Sequence, residues 1–245
     1  VMTGLLPPVH GARDNGVPLD GRHPTIAETL RGAGFRTAAF VSAFVLDRQF
    51  GLARGFETYD DAVARDPEAA LRLEADRAGS ATVDAARAWV AAIDRSRERF
   101  FLWVHLFEPH APYPGGYDQD VAAADTQAAR LIDALSAGPG GQAIAWIVAG
   151  DHGEALGSHG EATHGMLLYD ATLRVPLFLR GPGIAASTES APVSLADLAP
   201  TILRWAGLDA PPAMQGADLR GVLPRDRDVY SETMYPRAAG WHGLS

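Results

Sequence analysis

Apolar and polar positions along this chain fall into two rhythms that alternate, short apolar runs and helical stripes. Ile26 and Leu30 share one face of a helix predicted over residues 25–33, which Gly34 stops. Residues 36–43 (RTAAFVSA) then read as a strand. Asp66-Pro67 marks a helix start, an N-cap with proline in the first turn. The Ala-rich stretch beyond it keeps Val83, Ala86, Val90 and Ile93 at helical spacing, to about residue 94. Residues 100–107 (FFLWVHLF) read as a buried strand, residues 121–135 as a helix ending at Gly138, and residues 143–149 (AIAWIVA) as another buried strand. One more strand is predicted over residues 175–179 and a last helix over residues 197–206. Near-continuous apolar strands alternating with helices indicate a mostly parallel sheet covered by helices on both faces. In such sheets ligands bind outside the carboxyl ends of the strands, so the chemistry is expected just after Phe107 and Ala149.

Composition narrows the classes. With 47% hydrophobic and 21% charged residues, the 245-residue chain is that of a folded domain with a substantial core. A formal net charge of −9 with no basic cluster argues against nucleic acid as a partner. All 21 basic residues are arginine, since the chain has no lysine. The absence of cysteine removes disulfides, thiolate metal sites and a cysteine nucleophile from this stretch. The longest apolar runs are too short to span a bilayer, so no transmembrane segment is expected in this chain.

The sharpest chemical signal is Gly150-Asp151-His152-Gly153-Glu154, directly after AIAWIVA. A carboxylate and an imidazole suit a divalent cation with oxygen and nitrogen ligands. Neighbours on an extended strand point to opposite faces, so Asp151 and His152 share an ion only if the chain turns, which the flanking glycines allow. The bland alternative is an Asp N-cap beside a surface His. His159 and His164 follow within the same Gly-rich loop, with a solvated-loop role the favoured reading for His159. The second signal, Glu108-Pro109-His110-Ala111-Pro112-Tyr113, holds His110 between prolines, set to face a substrate oxygen or, on the bland reading, to decorate a rigid turn. His105, inside the strand, reads as a core histidine. The opening segment, residues 3–11 (TGLLPPVHG), carries His10 and on its own reads only as a loop.

Taken in order, TGLLPPVHG, PTIAETLRGAGFRTAAFVSA, HLFEPHAPY, AGDHGEALGSHGEATHG, LYDATLRVPLFLRGPG and SLADLAPTILRWAG resemble the sulfatase family of the alkaline-phosphatase-like superfamily. The resemblance implies an alkaline-phosphatase-like α/β fold and hydrolysis of a small-molecule or glycan sulfate ester. It implies one divalent metal ion, usually calcium, with manganese, magnesium or zinc as alternatives, held by Asp151 and His152. It gives His110 and His164 catalytic roles and makes His10, His110 and His164 substrate-binding residues. Many members place lysine at the anion; here His and Arg must serve. The family's nucleophile and first acidic metal ligands fall before Val1, so the expectation is one partial catalytic domain over residues 1–245, without its first strand and inactive as it stands. On the same scaffold, a phosphodiesterase, phosphonate hydrolase or phosphoethanolamine transferase is the enzymatic alternative, and a non-catalytic binding domain is the alternative from another class.

Overall fold

The computed structural model describes residues 1–63 and 75–238, in two compact units, one formed by Asn15–Gln142 with Met2 and the other by Val1, Thr3–Asp14 and Ala143–Ser245. In the first unit α2 (Ile26–Gly32) follows Thr25, whose hydroxyl accepts from the Glu28 amide at 3.1 Å while the Glu28 carboxylate accepts from the Thr25 amide at 2.8 Å. This reciprocal cap satisfies two donors that a helix start otherwise leaves orphaned. Strands β1 (Arg36–Phe40), β2 (Thr58–Asp60) and β3 (Phe100–Val104) form a parallel sheet in the order β2-β1-β3.

The pleat sorts the large side chains. Phe40 and Phe100 lie on one face, each edge-on to Trp89 of α3 (Gly79–Ala91), at 6.4 and 6.2 Å between centroids. Phe101 and Trp103 lie on the other, stacked against Phe56. On that second face Thr37 donates to Gly55 O at 2.8 Å, and Gly55 in turn presses on the first turn of α2. Helices therefore cover both faces of β1, whose Thr37, Ala38, Ala39 and Phe40 are buried. The long helix α4 (Tyr117–Ser136) packs on α3.

Two expectations change here, and a third is not reached. The Asp66 helix start lies outside the described residues. The helix expected to continue to residue 94 instead begins at Gly79, because the backbone just before it is drawn to the end of β1. Phe44 N donates to Ala75 O and Arg77 N to Ser42 O, each at 2.8 Å. Residues of β3 are half-buried rather than buried.

In the second unit α1 (Pro7–His10) opens the chain. β4 (Trp146–Ala149) pairs antiparallel with β5 (Leu177–Arg180), a pairing the apolar pattern did not distinguish. Residues 143–149 are also less buried than expected: Val148 and Phe178, opposite each other on one face of this pair, are 42% and 67% exposed. α5 (Asp170–Leu173) precedes β5, and α6 (Leu198–Trp205) buries Leu198, Ala199, Pro200, Thr201 and Leu203. The buried Asp197 accepts from the Ser194 amide at 2.7 Å, closing the turn that leads into α6, and is gripped by Arg227 through two bonds of 2.5 and 2.6 Å. No described helix is long and apolar enough to cross a membrane.

Candidate functional site

Where β4 ends, the Gly150 amide donates to Pro176 O at 3.1 Å and carries the ladder one step further. The chain then turns against α5. The Gly153 amide donates to Thr172 O at 2.8 Å, and a Cβ on Gly153 would stand 2.2 Å from Ala171 O. Only glycine fits that approach. The turn leaves the Asp151 side chain 71% exposed and that of His152 39% exposed, with Asp151 Oδ1 3.9 Å from His152 Nε2. The same oxygen accepts from the His152 amide at 3.0 Å. His152 Nδ1 lies 3.0 Å from Gly153 O. A carbonyl only accepts, so Nδ1 carries the proton and Nε2 the lone pair, the state in which imidazole ligates a metal. Two donors on one divalent ion, each about 2.0–2.6 Å from it, stand about 3–4 Å apart. The carboxylate oxygen and Nε2 have that spacing. Among the described residues no group of three or more His, Cys, Asp or Glu forms a complete cluster, so this pair fits part of a shell.

His164 joins them. Its ring stacks on that of His152 at 3.8 Å between centroids, tilted by 26°. Its Nδ1 lies 2.6 Å from Glu154 Oε1. The Glu154 side chain is 4% exposed, and its Oε2 is buried with no hydrogen-bond partner. The carboxylate oxygen accepts, so His164 too carries a proton on Nδ1. The loop between is pinned by Ala155 N to Thr163 O and Gly157 N to Glu161 O, both 2.8 Å, while the buried Glu161 accepts from the Met166 amide at 2.6 Å. His159 is exposed, at positive φ (53°), and stacks on Tyr169.

His10 lies in the same unit, at the end of α1. The Ala12 amide donates to its Nδ1 at 3.2 Å, which leaves its proton on Nε2, the reverse of His152 and His164. Nearby, Arg13 makes a bidentate pair with Glu232, whose Oε2 also accepts from the Tyr230 hydroxyl at 2.7 Å. The hydrogen bond from Arg13 above all, then that from Tyr230 and the charge of Arg13, hold the Glu232 carboxyl below its ordinary range against the opposing effect of burial. The Thr233 hydroxyl donates to Gly165 O, so one segment, residues 230–233, touches both the opening loop and the loop that carries His164.

His110 belongs to the other unit. Both its X-Pro neighbours, Glu108-Pro109 and Ala111-Pro112, are cis. Its ring stacks on Phe107 at 4.2 Å, and its Nδ1 lies 2.9 Å from Ala111 O, which again fixes the proton on Nδ1. Glu108 Oε1 accepts from the Gly79 amide at the start of α3, at 2.9 Å. The structure thus brings Asp151, His152 and His164 together, keeps His10 in their unit, and sets His110 after β3. Pattern reading passed over Glu154, Arg13 and Glu232. Glu154 stands two positions from His152 in the same motif, but its pairing ten residues on is visible only in the fold.

A family model described as Sulfatase matches residues 1–208. The sulfatase YidJ of Escherichia coli (strain K12) is 33% identical over 99 residues, which is 40% of this chain and 20% of YidJ. The N-acetylglucosamine-6-O-sulfatase of Bacteroides thetaiotaomicron is 31% identical over 132 residues, 53% of this chain and 23% of that protein. The chain therefore matches under a quarter of the length of either relative. Among solved structures, the phosphonate monoester hydrolase of Agrobacterium radiobacter superposes with a TM-score of 0.72 at 18% identity, covering 98% of this chain and 72% of that one. BT4656 in complex with its substrate D-glucosamine-2-N,6-O-disulfate superposes with a TM-score of 0.70 at 17% identity, covering 89% of this chain and 68% of that one. At those identities the likeness establishes the fold alone, an α/β fold shared with both structures.

Proposed function

This chain belongs to the sulfatase family, and from that membership we propose that the whole protein hydrolyses sulfate esters, with a sugar as the organic part. The observation that carries the reading is the junction after β4, where Asp151, His152, Glu154 and His164 form one connected group. The sugar is favoured by the relatives, one named for N-acetylglucosamine-6-O-sulfate chemistry and one solved with a sulfated glucosamine.

Asp151 and His152 Nε2 are the proposed holders of a divalent cation, with calcium first. Such an ion supplies charge neutralisation at the sulfuryl oxygens. The residues of the chain do the rest. Glu154 holds a proton on His164 Nδ1, and Ala111 O does the same for His110, which makes Nε2 the proposed working nitrogen of each ring. When that nitrogen is protonated it donates to a sulfate or leaving-group oxygen. The Nε2–H of His10 is a donor of the same kind.

The test is turnover by the purified whole protein of an aryl sulfate and a 6-O-sulfated glucosamine, before and after chelation and calcium return. Sulfate release lost on chelation and restored by calcium is the expected result. The likeness to the phosphonate monoester hydrolase, over 98% of this chain, supports phosphonate or phosphate monoester hydrolysis as the second reading. A higher kcat/KM for a phosphonate ester than for every sulfate ester would put it first.

A further inference from the structure

At the carboxyl ends of β1 and β2 a guanidinium is held from two sides. Arg77 Nη1 donates to Asp60 Oδ1 and Nε to Thr82 Oγ1, each at 2.9 Å. Asp60 ends β2, Thr82 sits in the first turn of α3, and the Arg77 amide donates to Ser42 O just beyond β1, at 2.8 Å. The Thr82 hydroxyl is itself tied to that of Ser42 at 2.7 Å. The Arg77 side chain is only 11% exposed. Its third nitrogen, Nη2, is buried with no hydrogen-bond partner.

A charged donor withdrawn from water without an acceptor is unfavourable, and native proteins keep one where something outside the chain supplies the acceptor. Here the unmet donor stands at the carboxyl edge of parallel strands, where α/β folds take their ligands. It also stands in a chain with no lysine, whose cationic side chains can come only from Arg and His. The planar fork of arginine suits an oxyanion, and two of its three nitrogens are already committed to fixing its direction.

We propose that Arg77 is an oxyanion-binding residue: its Nη2 donates to an oxygen of the substrate's acidic group, with Asp60 and Thr82 as positioning residues. This rests on the sulfate-ester reading, which makes the ligand an anion. Two sources share the chemistry, the sulfate group itself and a carboxylate on the sugar.

The experiment is calorimetric titration of the whole protein with sodium sulfate and, separately, with sodium glucuronate, at constant ionic strength. Wild type, Arg77→Lys and Arg77→Met are compared. Lysine keeps the cation for Asp60 but has one nitrogen, so it spares the ion pair while removing Nη2. Losing a charge-assisted hydrogen bond should weaken the anion that Arg77 meets by roughly 10- to 100-fold in both variants. Weakened sulfate binding assigns the sulfate group, and weakened glucuronate binding alone assigns the carboxylate. Unchanged binding of both anions in Arg77→Lys, or no binding of either by wild type, overturns the proposal. Should the variants fail to fold, a crystal structure of the wild type in sulfate and glucuronate decides it. An anion oxygen at about 3 Å from Nη2 supports the proposal, and only water there overturns it. None of these measurements needs turnover, so a protein that binds sulfate through Arg77 yet cleaves no sulfate ester would fail the functional reading alone.

Discussion

Three histidines, His110, His152 and His164, present the same nitrogen to their surroundings because each Nδ1 is fixed on an oxygen that can only accept. For two of them that oxygen is a backbone carbonyl one residue on, which any side chain at that position would supply. For His164 it is Glu154, a side chain that can be replaced. Glu154→Ala should free the ring to exchange tautomers and turn on its stack against His152. The expected loss in kcat is roughly 10- to 100-fold, the usual cost of removing a partner that orients a site imidazole, with Glu154→Gln intermediate. Imidazole nitrogen shifts of His164 should move from the Nδ1–H form towards a mixture in Glu154→Ala; an unmoved spectrum would show that the carboxylate orients nothing. Asp151→Ala should weaken calcium binding by at least a similar factor in direct calorimetry, and equal affinity would remove Asp151 as a ligand. Asp151, His152 and His164 were legible because their motif names the residues that carry charge. Glu154 and Arg77 were not, since their meaning lies in what they touch, ten positions away or on another strand.

Elements with several residues in one apolar pattern were readable and the shortest strand, β2, was not. The stripe of α2 is explicit in the sequence, and α6 follows the same rule. β2 has three residues, too few to show an alternation, and exists because β1 offers it a parallel edge. The break before α3 could not be read from propensity either, because alanine-rich chain favours helix until other partners take its amides. Glycines divide by the same logic. Gly32 ends α2 with open space where a Cβ would go, nothing standing within 4 Å of it, whereas a Cβ on Gly153 would meet Ala171 O at 2.2 Å. Gly32→Ala should stabilise the protein by up to about 1 kcal/mol through helix propensity. Gly153→Ala should cost about 1–3 kcal/mol and displace Asp151 with the turn. Urea midpoints check both signs, and equal values for the two variants would mean that the turn relaxes freely.

Across the larger span of the chain, stability in the second unit depends on joining residues far apart in sequence. Arg13 and Glu232 are 219 positions apart, and their pair ties the opening loop to the segment that also holds Gly165. Nothing local in the sequence announces such a closure, because each partner reads as an ordinary surface charge until the fold brings them together. Its signature is in acid. The Glu232 carboxyl is held below its ordinary range, mainly by the Arg13 hydrogen bond, so the folded state takes up its proton less readily than the unfolded state. That contribution is fully present above the unfolded carboxylate value of about 4.3 and is lost as the pH falls through the lower folded value. Glu232→Gln removes the charge at every pH. The variant should therefore be less stable than wild type at pH ~7, and the difference should shrink as the pH falls below about 4. Urea unfolding at both pH values measures it, and a gap that stays constant into acid would mean that the Glu232 charge contributes nothing to holding the two segments together.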